Sequence, residues 1–140
     1  MDKIVVIQQD NTIEIKDFNG LKSLQDAVDG YIEEITARLN PYQGALSEME
    51  MVYLCNEEGA YRSDFKVNPI ATLIYMNPLV GPVAIGKFGI ADGEQDIVGF
   101  TQEEAAEVKS QLEAFAKSRS RSIDAIVRLE NEFDAEKDEL

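Results

Sequence analysis

The sequence predicts an α+β fold, a small, mostly antiparallel sheet with short helices, followed by a long C-terminal helix or helical hairpin. Three observations point there. Short β-branched runs alternate with turn residues through the first hundred positions. Two brief segments among them carry helical spacing, and residues 101–140 contain neither Gly nor Pro under a long three-and-four apolar spacing. At 140 residues the chain can build one real core, and no Ser/Gly/Pro-rich linker cuts it. The expected organisation is an α+β core domain over residues 1–100 and a helical oligomerisation segment over 101–140.

The elements follow in order. "KIVVIQQD" is apolar and β-branched, Asn11-Thr12 is a turn signal, and "IEIKDF" sets Ile13, Ile15 and Asp17 against Glu14, Lys16 and Phe18. That predicts a hairpin whose pairing slips or bulges near its end. In "NGLKSLQDAVDGYIEEI", Leu21, Leu24, Ala27 and Val28 share one helix face and Gly30 stands where a C-terminal cap belongs. Tyr31, Ile32 and Ile35 open another strand. "ARLNPYQGALSEME", with Pro41 and Gly44, reads as a surface connection. "MEMVYLC" is a strand, and "NPIATLIYMNPL" a short helix with Asn68 as cap and Pro69 in the first helical position. "LVGPVAIGKFGIAD" predicts one more strand or a hairpin, with glycines for bulges or close backbone approach and Pro82 off the ladder.

In order and spacing, "KIVVIQQDNTIEIKDFNGLKSLQDAVDGYIEEI", "VYLCNEEGAY" with "NPIA", "LVGPVAIGKF" and "FTQEE" resemble the DUF3846 family, small proteins common in phages and mobile elements. The resemblance covers roughly residues 3–108. It implies a small α+β fold and a mobile-element origin, and it carries no active site. The stretch before "VYLCNEEG" and the C-terminal helix are longer than in the family pattern.

Composition excludes several chemistries. Histidine is absent and cysteine occurs once, which removes Ser-His-Asp and Cys-His catalysis, imidazole bases and the usual zinc sets. No cofactor, no metal and no catalytic residue is expected, so the chain reads as a non-enzyme. Cys55, in "MVYLCNEEGAYR", lacks an activating base, and Asn56-Glu57-Glu58-Gly59 supplies a self-capping side chain and a glycine for a hairpin turn. Cys55 is expected to be inert and partly buried there. An enzyme would need paired carboxylates at Glu33-Glu34 or Glu57-Glu58, yet adjacent strand residues face opposite ways.

The net charge is −14, spread along the chain: seven basic against sixteen acidic residues in 1–100, and six against eleven in 101–140. Such a surface repels phosphate backbones, so direct nucleic-acid binding is not expected. It would instead steer toward basic partners. No run of about eighteen apolar residues suggests a membrane span, and "MDKIVVIQQD" passes into a strand without a leader. The expected location is the host cell cytoplasm, with no membrane partner. The ending "KDEL", Lys137 to Leu140, resembles an ER retention address but presupposes entry into the secretory pathway. "DGEQD", Asp92 to Asp96, lacks calcium-loop spacing and reads as an acidic turn.

Thr101 and Glu104 form a capping box. From there Ala105, Val108, Leu112, Phe115, Arg119, Ser122, Ile126, Leu129 and Phe133 fall three and four apart, a heptad seam interrupted at Arg119 and Ser122. One continuous helix of about 33 residues would run about 50 Å, too far for the small domain to cover. The helix either folds back at "KSRSRS" or meets a second chain. The expectation is a homo-oligomer held by Val108, Leu112, Phe115, Ile126, Leu129 and Phe133. Lys117, Arg119, Arg121 and Arg128 concentrate basic charge in an acidic chain. Lys117, Arg119 and Arg121 are candidate phosphate contacts, because arginine forks match such anions, with Phe88, Tyr61 and Tyr75 as stacking rings. The plainer alternative is a solvated face paired with Glu113, Asp124 and Glu132. The function these observations suggest is a phage-type accessory protein that acts by binding, in counter-defence, by sequestering a small nucleotide signal or capping a host protein. The alternative is an acidic DNA mimic.

Overall fold

Ile4 and Val6 on one side of the first strand, and Val5 and Ile7 on the other, all lose contact with water. Successive strand residues face opposite ways, so a run buried on both faces is apolar throughout. This explains "IVVI". The computed structural model describes the backbone of residues 2–138 and the side chains of residues 2–132. Along it lie β1 (Lys3–Ile7), β2 (Ile13–Asp17), α1 (Leu21–Val28), β3 (Ile32–Ile35), β4 (Met51–Asn56), α2 (Pro69–Tyr75), β5 (Val83–Ala91), β6 (Glu94–Val98), α3 (Gln102–Ser118) and α4 (Ser120–Asp138). The class is α+β, with one antiparallel sheet.

The strand order is β2-β1-β5-β4-β3, with β6 added on β5. Lys87 of β5 pairs with Met51 of β4 on one side and Val98 of β6 on the other, and β1 pairs with β5 residues 83–85. Hence β1 and β6 share one edge of β5 end to end. Lys3 and Phe100 bridge them, exchanging backbone hydrogen bonds of 2.8 and 2.7 Å.

Side-chain parity divides the core into two clusters. Ile4, Val6, Val52, Leu54 and Ala84 pack under Leu24, Ala27 and Val28 of α1. Val5, Ile7, Tyr53, Cys55, Val83 and Ile85 pack on the opposite face, against Ile70 and Ile74 of α2 and Ala105, Val108, Leu112 and Phe115 of α3. The sheet is the middle of three layers, and each fully buried Val, Leu or Ile contributes about 1.5–3 kcal/mol. Because α3 closes the second layer, the boundary anticipated at residue 100 falls inside one continuous core. The 1–100 and 101–140 division therefore does not describe the packing.

Several local expectations hold and others change. Asn68 caps α2 by accepting from the Ala71 amide at 3.2 Å, with Pro69 behind it, and the Thr101–Glu104 capping box is complete. The first hairpin pairs one to one from Ile7↔Ile13 to Lys3↔Asp17, without the anticipated slip or bulge. Phe18 still reaches the α1 cluster, because it simply continues the alternation. Asp92 and Gly93, at φ 51° and 80°, form a tight reversal between β5 and β6 of the kind that needs positive φ at both central positions. "DGEQD" is thus an acidic turn leading into β6, a strand that weak alternation concealed. Gly86 and Gly89 of β5 leave room for β6: a Cβ at Gly89 would lie 2.6 Å from Val98 Cγ2.

The hairpin anticipated after Cys55 does not form. β4 runs into a 3₁₀ turn at Gly59–Tyr61 and then toward α2, so no strand returns there. Asn56 does cap its own turn, accepting from the Glu58 amide at 2.8 Å, and its Nδ2 also donates to the Val28 and Asp29 carbonyls at 3.0 Å each. It ties the end of α1 to the end of β4, and a Cβ on Gly30 would strike its amide at 2.6 Å. The stretch 37–50 is not merely a surface connection, since Tyr42 and Leu46 are buried in the core.

Candidate functional site

The α3/α4 junction is built by a helix that stops without a stop signal. α1 and α2 end in left-handed residues, Asp29 at φ 57° and Met76 at φ 62°. α3 ends at Arg119, φ −109° and ψ 20°, which lies outside the helical range and near the bridge region. The chain bends there, and the first turns of α4 pack toward α2, burying Ile123. Glu130 Oε1 then accepts from the Val67 amide at 2.8 Å and pins α4 to the segment leading into α2.

Two clefts meet at this bend and share Leu39, Phe115 and Arg119. The first, about 530 Å³, lies between the 39–43 stretch and the outer side of α3, with Gln43, Glu107 and Gln111 among its polar groups. Gln111 Oε1 accepts from the Gln43 amide at 2.8 Å, and Gln111 Nε2 donates to Glu107 at 2.8 Å, which holds the loop on the helix. The second, about 500 Å³, runs to the end of α2 and is walled by Leu73, Met76 and Pro78, with Thr72, Asn77 and Ser122 as polar points. Arg119 is the charged side chain lining this second cleft. Its guanidinium lies over the Phe115 ring at 5.6 Å, an orientation that a face-on cation favours. Among the described residues no ion pair joins Lys117, Arg119, Arg121 or Arg128 to Glu113, Asp124 or Glu132.

The anticipated site residues do not all converge. Arg119, Lys117 and Arg121 are all exposed, and of the three Arg119 lines the two clefts. Tyr75 is half-buried against the α3-side core, Phe88 packs with the α1-side cluster on the other face of the sheet, and Tyr61 stands 90% exposed on the 3₁₀ turn. Phe88 and Arg119 are therefore separated by the sheet and cannot share a ligand. The oligomer seam changes as well: Val108 and Leu112 are 0% exposed and Phe115 is buried, all three against their own sheet. They cannot face a second chain. Ile126 is half-buried, Leu129 is 65% exposed, and the Phe133 side chain lies outside the described residues, as do the side chains of "KDEL". Leu39, Gln43 and Gln111 were not anticipated, because a loop and a helix 68 positions apart along the chain meet only in the fold.

Elsewhere the titratable groups serve structure. Arg62 donates to Asp29 and Asp64 at 2.7–2.8 Å and lies 4.2 Å over Phe65, and the carboxylates beside it push its pKa up. Burial, then the neighbouring Glu33 carboxylate, pushes the Cys55 thiol up to about 11. The Tyr53 hydroxyl donates to the Tyr42 hydroxyl at 3.0 Å; burial raises Tyr42 well above the usual range and Tyr53 to about 12. Among the described residues no group of three or more Cys, Asp or Glu could hold a metal ion, and no helix is long and apolar enough to cross a membrane.

The model of a family described as a domain of unknown function, DUF3846, matches residues 1–113, and the chain belongs to that family. No curated protein and no solved structure matches it. The matched region holds the whole sheet and most of α3, and it ends before Arg119 and α4.

Proposed function

We propose that this member of the DUF3846 family acts by binding, without chemistry of its own, and that its ligand is a small anion of nucleotide size seated over the α3/α4 bend. One observation carries the reading: Arg119, backed by Phe115 and with no carboxylate partner among the described residues, lines an apolar cleft of about 500 Å³. That volume suits a nucleotide-sized molecule, and an arginine fork suits its phosphate. The flat base would lie against Leu73, Met76 and Pro78. In a phage or mobile element, capture of this kind would serve counter-defence by sequestering a small nucleotide signal in the host cytoplasm.

Native mass spectrometry of the protein purified from host cells tests this reading. Wild-type protein should retain a small molecule that Arg119→Glu loses, and an empty wild-type chain sinks the reading. A second reading rests on the charge of −14: the protein mimics nucleic acid and occupies a basic groove on a host protein. A co-purifying basic protein, released as salt rises because exposed charges are screened, would favour it.

A further inference from the structure

The seam spacing runs through the bend as though the bend were absent, with Phe115, Arg119, Ser122 and Ile126 continuing the same stripe. Helical hydrogen bonds survive on both sides of the junction: the Arg119 amide donates to the Phe115 carbonyl at 3.0 Å, and the Ile123 amide to the Arg119 carbonyl at 3.0 Å. No glycine, proline or left-handed residue enforces the turn. A straight rod across residues 102–138 thus requires little more than returning Arg119 to helical dihedrals. In such a rod Ile123 and Glu130 leave the core and the Val67 amide of their own chain, and that chain exposes the surface they covered. The one surface known to fit them is the α2 side of another copy.

We propose that α4 exchanges between two copies of this chain by straightening at Arg119. Each α4 then docks on its partner's α2, and its Glu130 carboxylate accepts from the partner's Val67 amide. The contacts are those of the single chain, remade across a two-fold axis, so the exchange costs little beyond bringing two chains together. A short hinge between long helices favours this route. The second cleft becomes composite: Leu73, Met76 and Pro78 come from one copy and Ser122 from the other. The inference stands apart from the ligand reading, because it needs no ligand.

Two single variants on a Cys55→Ala background, Val67→Cys and Glu130→Cys, test it when mixed at high concentration and treated with a short bismaleimide. Exchange gives a crosslinked heterodimer joining residues 67 and 130. The double variant kept dilute crosslinks within one chain, which controls for folding. If the double variant closes on itself and the mixture never yields a heterodimer at any concentration, the proposal is overturned. Hinge variants give a second reading. Ala favours a continuous helix over Gly by about 1 kcal/mol at each of two hinges, so Arg119→Ala should dimerise about 30-fold more tightly than Arg119→Gly by analytical ultracentrifugation. Equal dimerisation, or none in either, would also overturn it.

Discussion

α3 and α4 carry the same apolar spacing and meet different fates. Along α3 the stripe is sealed: Ala105, Val108 and Leu112 are fully buried against the sheet. Along α4 Ile126 is half-buried beside the buried Ile123, and Leu129 remains open. Both helices looked alike because periodicity reports that a face is apolar and says nothing of what covers it. A sheet was within reach of one helix, and the end of a seven-residue helix was within reach of the other.

The contrast can be broken most decisively by truncating matched positions. Leu112→Ala should cost about 3–5 kcal/mol in denaturant unfolding, because the surrounding core cannot collapse into the cavity. Leu129→Ala should stay within about 0.5 kcal/mol in dilute protein; a comparable loss at both sites would erase the distinction. Next in size is Asn68→Ala. Asn68 is 0% exposed and donates to the Ile7 and Gly81 carbonyls at 2.9 Å each while capping α2. Leaving those groups unpaired should cost about 2–4 kcal/mol, and a loss below 1 kcal/mol would mean that water replaces the side chain. Glu130→Ala is smaller, about 1 kcal/mol. Its signature is local: amide exchange should quicken in residues 120–132 and stay unchanged in 102–118, and uniform quickening would show that the two helices open as one unit.

The smallest effect at neutral pH appears only in alkali. Burial raises Cys55 from 9.0 to about 11 and Tyr53 from 10.0 to about 12. Between those values the unfolded chain has shed protons that the folded chain keeps, so stability is full below about pH 9 and falls as pH rises toward 12. Cys55→Ala should move the onset from about 9 to about 10 in unfolding midpoints against pH. An unmoved onset would locate the titrating group elsewhere.

Local signals were legible in the sequence, and meetings between distant segments were not. The Asn68-Pro69 start, the Thr101–Glu104 box and the turn at Asn11-Thr12 are written within four residues each, and each forms as expected. Strand β6 was missed because "EQDIV" alternates too briefly to stand out from its turn. Asn56 was anticipated as a turn former, yet its hold on the α1 carbonyls needs a helix that ends 28 positions earlier. Of the site, Arg119 was legible as a basic residue on an interrupted seam. The grouping with Phe88 failed because adjacent stripes of one sheet face opposite layers, and the order β2-β1-β5-β4-β3 follows from pairings that no short window contains.

The end-to-end sharing of β5 by β1 and β6 has a consequence for synthesis. β1 is apolar on both faces, and its second neighbour is encoded at residues 83–85. At about 5–20 residues per second, the nascent chain carries a strand with one unpaired edge for roughly 4–16 s before β5 emerges. During that interval the hairpin with β2 is the cover on hand, and the exposed edge offers a template to any neighbouring extended chain. Crowded polysomes translating this message are where its misfolding would begin.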